Sequence, residues 1–145
     1  MAGAAPPDFT VAAAPTDADR AAILAALVTA NDAAAGRPSG YRPVALLCKD
    51  ADGAVTGGLW ARITYDWMFL ELLVVPAALR GQGLGRRLLA AAEQQARAAG
   101  CRGVWLDTFS FQAPAFYRKL GYSEFGVIEG HPVGGRRHFF MKTLD

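Results

Sequence analysis

The chain has 145 residues, 15 Lys and Arg against 13 Asp and Glu, and 52% hydrophobic residues. That length and composition fit one globular domain with its own core and exclude intrinsic disorder. A net charge of +2, with both signs interspersed, excludes an electrostatic nucleic-acid binder.

No apolar run approaches the roughly 18 residues of a membrane span, so no membrane partner is expected. Met1 to Asp8 has neither the basic start nor the apolar stretch of a signal peptide, and a cytoplasmic protein is expected. Cys48 and Cys101 form no CxxC pair, and with only two histidines there is no metal-site spacing. Both thiols sit in or beside apolar runs and are expected to be buried and inert.

In chain order, residues 1–7 read as a loose tail and residues 8–145 as the domain. Phe9 to Ala13 suits a short strand. Thr16-Asp17-Ala18-Asp19 is an N-cap sequence, so a helix should follow over residues 18–33, with Ile23, Leu24, Leu27 and Val28 on one face. Gly36-Arg37-Pro38-Ser39-Gly40 breaks it. Pro43 to Lys49 reads as a buried strand, Asp50-Ala51-Asp52-Gly53 as a hairpin turn, and Ala54 to Tyr65 as the returning strand, with Gly57-Gly58 marking a bulge or close approach. After a turn at Asp66, a third strand spans Trp67 to Val75 and stops at Pro76.

A helix is predicted from Gln82 to Ala99, with Gly100 as its C′ residue. A short strand over residues 104–106, a helix over residues 112–120, and strands over residues 122–128 and 138–142 complete the chain. The order is β-α-β-β-β-α-β-α-β-β. A helical crossover makes the strands on either side of it parallel, so the sheet is mixed and the class is α/β or α+β.

Arg80-Gly81-Gln82-Gly83-Leu84-Gly85 lies between a strand and a helix. Glycines let the backbone approach a ligand, and the first-turn N–H groups and the helix dipole favour an anion there. A P-loop would need Lys-Ser/Thr after the last glycine, where Arg86-Arg87 stands. A dinucleotide fingerprint belongs near a first strand, whereas this loop follows a meander. Arg80, Gly83 and Gly85 match the third candidate, an acetyl-coenzyme-A loop of the form Arg/Gln-x-x-Gly-x-Gly/Ala. Arg86 and Arg87 oppose the helix dipole, an oddity that a bound anion would explain.

Downstream, Ala113-Pro114-Ala115-Phe116-Tyr117-Arg118-Lys119-Leu120-Gly121-Tyr122 is similar to the second signature of the same enzymes. On these two motifs and the element order, the chain resembles the GCN5-related N-acetyltransferases, the GNAT superfamily. Trp105 to Ala113 and the segment from His131-Pro132 to His138-Phe139-Phe140 resemble a subgroup of small bacterial members.

The resemblance implies a GNAT fold in which the third meander strand and the strand after the long helix splay apart around acetyl-CoA. Backbone groups of Leu73, Val74 and Val75 would bind the pantetheine arm. N–H groups of Arg80, Gly81, Gln82, Gly83, Leu84, Gly85 and Arg86 would hold the pyrophosphate. Phe116, Tyr117 and Ser110 complete the cofactor contacts, with Ser110 standing where members often carry Asn.

The implied reaction is transfer of an acetyl group to a primary amine of a small molecule or peptide by direct attack. The alternative is a non-catalytic acyl-CoA-binding GNAT-fold sensor or structural module. Tyr117 would protonate the departing thiolate, and Glu71 would take the amine proton or else face solvent on an amphipathic strand. His131 and His138 are further candidate bases. Arg136 and Arg137 read as an anion site or a solvated turn, and Trp60 and Trp67 as core or pocket wall. Relatives are often homodimers.

Overall fold

A computed structural model describes residues 3–4 and 8–145. The tail expected over residues 1–7 therefore lies, except for residues 3 and 4, outside the described residues. Two compact units are present, Met1–Ser39 and Gly40–Asp145.

The first unit carries α1 (Asp17–Ala35). Thr16 caps it: its Oγ1 accepts the Asp19 N–H at 3.1 Å, while the Asp19 carboxylate accepts the Thr16 N–H at 2.9 Å. This reciprocal box satisfies two donors that a helix start otherwise leaves open. Those bonds from Thr16 hold the Asp19 carboxyl below its ordinary range. Gly36 ends the helix in the left-handed conformation. The strand expected over residues 9–13 does not form. An isolated five-residue strand has no ladder to compensate its ordering, and these residues pair with no other strand.

The second unit contains β1 (Arg42–Lys49), β2 (Val55–Thr64), β3 (Trp67–Val74), a 3₁₀ turn (Ala77–Leu79), α2 (Leu84–Ala98), β4 (Gly103–Phe109), α3 (Pro114–Lys119), β5 (Ser123–Glu129) and β6 (Arg136–Thr143). The sheet order is β1-β2-β3-β4-β6-β5. Only β3 and β4 are parallel, joined through α2, as the crossover argument requires. β4 runs three residues beyond its predicted end because β6 pairs with it as far as Phe109.

One face of the sheet carries Leu59, Ala61, Ile63, Met68, Leu70, Val104, Leu106 and Phe140 into a buried core with Leu88, Leu89, Ala92 and Ala96 of α2. Burying a leucine such as Leu89 stabilises the fold by about 2 kcal/mol. Glu93, on the same helix, is the one acidic residue in that layer. It is satisfied by the Lys142 ammonium at 2.7 Å and by the Tyr122 hydroxyl at 3.2 Å. α2 ends in a Schellman motif: Gly100, at φ +78°, donates to Arg97 O, and Cys101 donates to Ala96 O. Cys101 is buried, and burial pushes its thiol up; Cys48 is only half-buried, and both are free.

β1, expected to be buried, is half-buried at Val44, Leu46 and Cys48 and exposed between them, because it is the edge strand and one face alone meets the core. Two irregularities mark the three-stranded meander. Opposite Gly58, a Cβ would lie 2.0 Å from Leu46 O, so the close approach expected at Gly57-Gly58 is real. The second is a bulge. Trp60 pairs with Leu72 and Ala61 with Leu70, leaving Glu71 as the extra residue. The bulge shifts the parity of the strand. Leu70 and Leu73 both pack against the core although they are three positions apart.

Candidate active site

The parallel ladder ends early. Its last pair is Leu70 with Leu106, after which β3 and β4 part. Glu71 and Asp107 are therefore the first residues on either side of the fork. A cleft of about 550 Å³ opens there, walled by β3 from Leu70 to Val75, by Arg80 and Gly85, and by Asp107, Thr108, Gln112, Ala113, Phe116 and Tyr117. A second groove of about 380 Å³ shares Val75, Arg80, Gly85 and Phe116 with it and adds Leu79, Gly81, Gly83, Leu84 and Arg86. The two are continuous through those shared residues.

The groove end is built by backbone. Gly81 and Gly83 have φ of +76° and +78°, which only glycine adopts without strain. Gly83 is the N-cap of α2 and brings no capping side chain. Among the described residues no hydrogen bond uses the N–H groups of Gly81, Gln82 or Gly83. Gly81, Gly83, the first turn of α2 and Arg86 line one groove, a donor set suited to a pyrophosphate. Arg80 bends back so that its Nε donates to Val75 O at 3.4 Å. The Phe116 ring lies against Gly85, where a Cβ would meet it at 3.4 Å.

The fork end is built by side chains. Tyr117 is 7% exposed. No buried side-chain polar atom among the described residues lacks a partner, and no hydrogen bond reaches the Tyr117 hydroxyl, so that oxygen opens into the cleft. Burial, with a smaller contribution from Asp107, pushes its pKa up to about 12. Glu71 is exposed at the bulge and lines the cleft, and no partner among the described residues engages its carboxylate. The apolar run in which it sits does not bury it. The bulge turns it out of the core.

Leu73, Val74, Val75, Arg80, Gly81, Gly83, Leu84, Gly85, Arg86, Phe116, Tyr117 and Glu71 thus line one continuous surface. Gln82 and Ser110 do not. Gln82 Nε2 folds toward Ala78 O, and Ser110 Oγ accepts the Arg136 N–H at 3.1 Å, on the β6 side of β4. The histidines are absent from the cleft as well. His138 is buried with Nδ1 3.3 Å from Glu124, and His131 places its ring edge on Phe109 and Nε2 3.4 Å from Arg137.

Arg136 and Arg137 open β6 instead of lying in a turn, Arg136 is solvent-exposed, and both guanidinium groups are ion-paired. Arg136 pairs with Glu129 at 2.9 Å, and Arg137 pairs with Asp107 at 2.7 Å while stacking over Phe109 and Phe139. Trp60, 41% exposed, is neither core nor cleft wall. Sequence reasoning missed Asp107, Thr108 and Gln112 as wall residues. Their signal was the stretch from Trp105 to Ala113, which carried a resemblance without a structural reason for it.

A splayed parallel pair, an uncapped glycine turn at a helix start and a tyrosine at the fork coincide in one cleft. The model of the acetyltransferase (GNAT) family matches residues 12–122.

The chain belongs to the acetyltransferase (GNAT) family.

It is an acetyl-CoA-dependent N-acetyltransferase with the GNAT fold. A blasticidin-S acetyltransferase of Streptomyces morookaense is 42% identical over 93 residues, 63% of this chain and 68% of its own length. A crystal structure of an acetyltransferase from Bacillus cereus matches at TM-score 0.77 and 34% identity, covering 93% of this chain and 98% of its own. An aminoglycoside 6'-N-acetyltransferase crystallised with coenzyme A shares the fold at TM-score 0.59 and 21% identity, over 70% of this chain and 72% of its own. Among the described residues no group of three or more His, Cys, Asp or Glu is placed to hold a metal ion, and no helix is long and apolar enough to cross a membrane.

Proposed function

We propose that this acetyltransferase moves the acetyl group of acetyl-CoA to a primary amine of a small molecule or peptide by direct attack at the fork between β3 and β4. The observation that carries the reading is the single continuous cleft with an anion-suited backbone turn at one end and Glu71 and Tyr117 at the other. In this reading Arg80 to Arg86 bind the pyrophosphate. Leu73 to Val75 offer backbone groups to the pantetheine arm as a neighbouring strand would, and Phe116 packs the arm against Gly85.

At the fork, Glu71 receives the proton that the amine must lose, directly or through water. An alkyl amine has a pKa of about 10.4 in water and is mostly cationic at neutral pH, so a free carboxylate at the mouth also draws it in. Tyr117 holds its proton at every physiological pH and offers it to the sulfur as the thiolate leaves. The blasticidin-S acetyltransferase relative makes blasticidin S and other small amines the acceptors to try first.

Thermal shift with acetyl-CoA, CoA, ATP and NAD tests the donor half. A ligand that binds the native state raises Tm according to its concentration over Kd. Stabilisation by the two CoA compounds is expected, and stabilisation by ATP alone refutes the reading. A panel of amines, with release of the CoA thiol as the signal, tests the acceptor half.

A further inference from the structure

The fork leaves a backbone donor on β4 with no strand to bind. Ser110 N–H donates to Arg136 O, toward β6. Successive N–H groups of a strand point to opposite sides, so the Phe109 N–H faces the gap, beyond the last β3 pair. Gln112 fills the place of the missing strand. Its Oε1 accepts the Phe109 N–H at 2.7 Å and the Thr108 hydroxyl at 3.1 Å. Thr108 is 3% exposed, so the second donor is held in place.

Two donors on one oxygen fix the orientation of the carboxamide. Nε2, with its two N–H groups, is turned away from both donors. No hydrogen bond among the described residues uses Nε2, and Gln112 lines the cleft. Ala113 is the N-cap of α3, which makes Gln112 the N′ residue and Tyr117 the N4 residue. Both residues line the same cleft at the fork.

We propose that Gln112 Nε2 donates a hydrogen bond to the carbonyl oxygen of the acyl thioester and polarises it as charge develops. This rests on the acetyl-transfer reading above. The amine nitrogen bonds to the carbonyl carbon, and the π pair moves onto the oxygen that Gln112 holds. The pair returns as the C–S bond breaks, and its electrons leave on sulfur, which accepts a hydrogen bond from Tyr117. Glu71 accepts the proton lost by nitrogen and passes it to solvent, and solvent protonates the thiolate. The products are the acetamide and the CoA thiol.

The test compares Gln112→Glu and Gln112→Met with wild type, using thiol release from acetyl-CoA with the best amine of the panel. Gln112→Glu keeps an acceptor for Phe109 and Thr108 but loses both N–H groups. It should hold the wild-type Tm and CoA affinity within about threefold, while kcat falls about 100-fold, as removal of one oxyanion donor does. Its deficit should shrink as pH falls into the carboxyl range, where a protonated side chain again donates. Gln112→Met should lose similar kcat and also Tm, because the Phe109 donor is then unpaired.

A Gln112→Glu enzyme with kcat within threefold of wild type overturns the proposal. So does a loss of CoA affinity that matches the loss of rate, which would make Gln112 a contact of the pantetheine arm. A wild type that acetylates no amine, and is not stabilised by acetyl-CoA, instead refutes acetyl transfer itself and this assignment with it.

Discussion

Replacing Tyr117 by Phe removes one oxygen from the fork and leaves the packing against Phe116, Tyr122 and Phe140 in place. With the phenol pushed up to about 12 and a thiol near 8.5, complete proton transfer to a free thiolate is uphill. The tyrosine therefore contributes chiefly by donating a hydrogen bond to sulfur as negative charge builds, and solvent supplies the proton that turns the released thiolate into the thiol. A hydrogen bond to a charged group contributes about 1.5–3 kcal/mol, so Tyr117→Phe should lower kcat about 10- to 150-fold. KM for acetyl-CoA should move little, because the neutral thioester gains less from this donor.

The assay is steady-state thiol release from pH 6 to 10. The phenol stays protonated across that range, so both profiles should have the same shape and differ by a constant offset. A variant with kcat within threefold of wild type throughout would refute the role. An alkaline decline near pH 10 that disappears in Tyr117→Phe would refute the raised pKa.

Four further outcomes follow from the same geometry. Asp107→Asn removes a charge that raises the Tyr117 pKa, so ultraviolet titration should find the tyrosinate forming at lower pH than in wild type. Glu71→Gln should lower kcat/KM at pH 7 by about 10- to 100-fold, with the gap closing toward pH 10 as the amine deprotonates by itself; equal activity at pH 7 would remove Glu71 from the mechanism. Lys142→Met leaves Glu93 in the core without its cation and should cost about 3 kcal/mol in urea denaturation, whereas a change below 0.5 kcal/mol would show that Glu93 relaxes to solvent. The Arg118 guanidinium, first among its partners, holds the Glu124 carboxyl below its ordinary range. Its stabilisation is present above the unfolded carboxyl pKa of about 4.3 and is lost as pH falls through the lower folded value. The stability gap between wild type and Arg118→Met, measured by denaturation from pH 3 to 7, should therefore close on the acid side.

Much of the fold and part of the site are local properties of the chain. The Asp50 to Gly53 hairpin, the Thr16 cap, Gly100 at the helix end and the glycine turn before α2 each depend on residues within a few positions of one another, and each forms where the residues place it. Glu71 shows the opposite case. In the sequence it interrupts an apolar run and reads equally well as a buried base or a solvent-facing residue. Its position is set by the register against β2, which makes it the extra residue of a bulge. Register is a relation between two strands, and neither strand states it alone. Ser110 and Gln112 differ for the same reason. The direction of the β4–β6 hydrogen bonds sends one toward Arg136 and leaves the other facing the gap.

The sequence by itself determined the mixed sheet, the single helical crossover and the glycine turn suited to a phosphate, because hydrophobic period, capping chemistry and glycine content act over short separations. The tertiary structure alone decided where β3 and β4 stop pairing, which carboxylate stands free at that fork and which is bound by Arg137. The first two depend on the registers of β3 against β2 and β4 and the last on Asp107 and Arg137, 30 residues apart, meeting in a sheet that only the assembled fold defines.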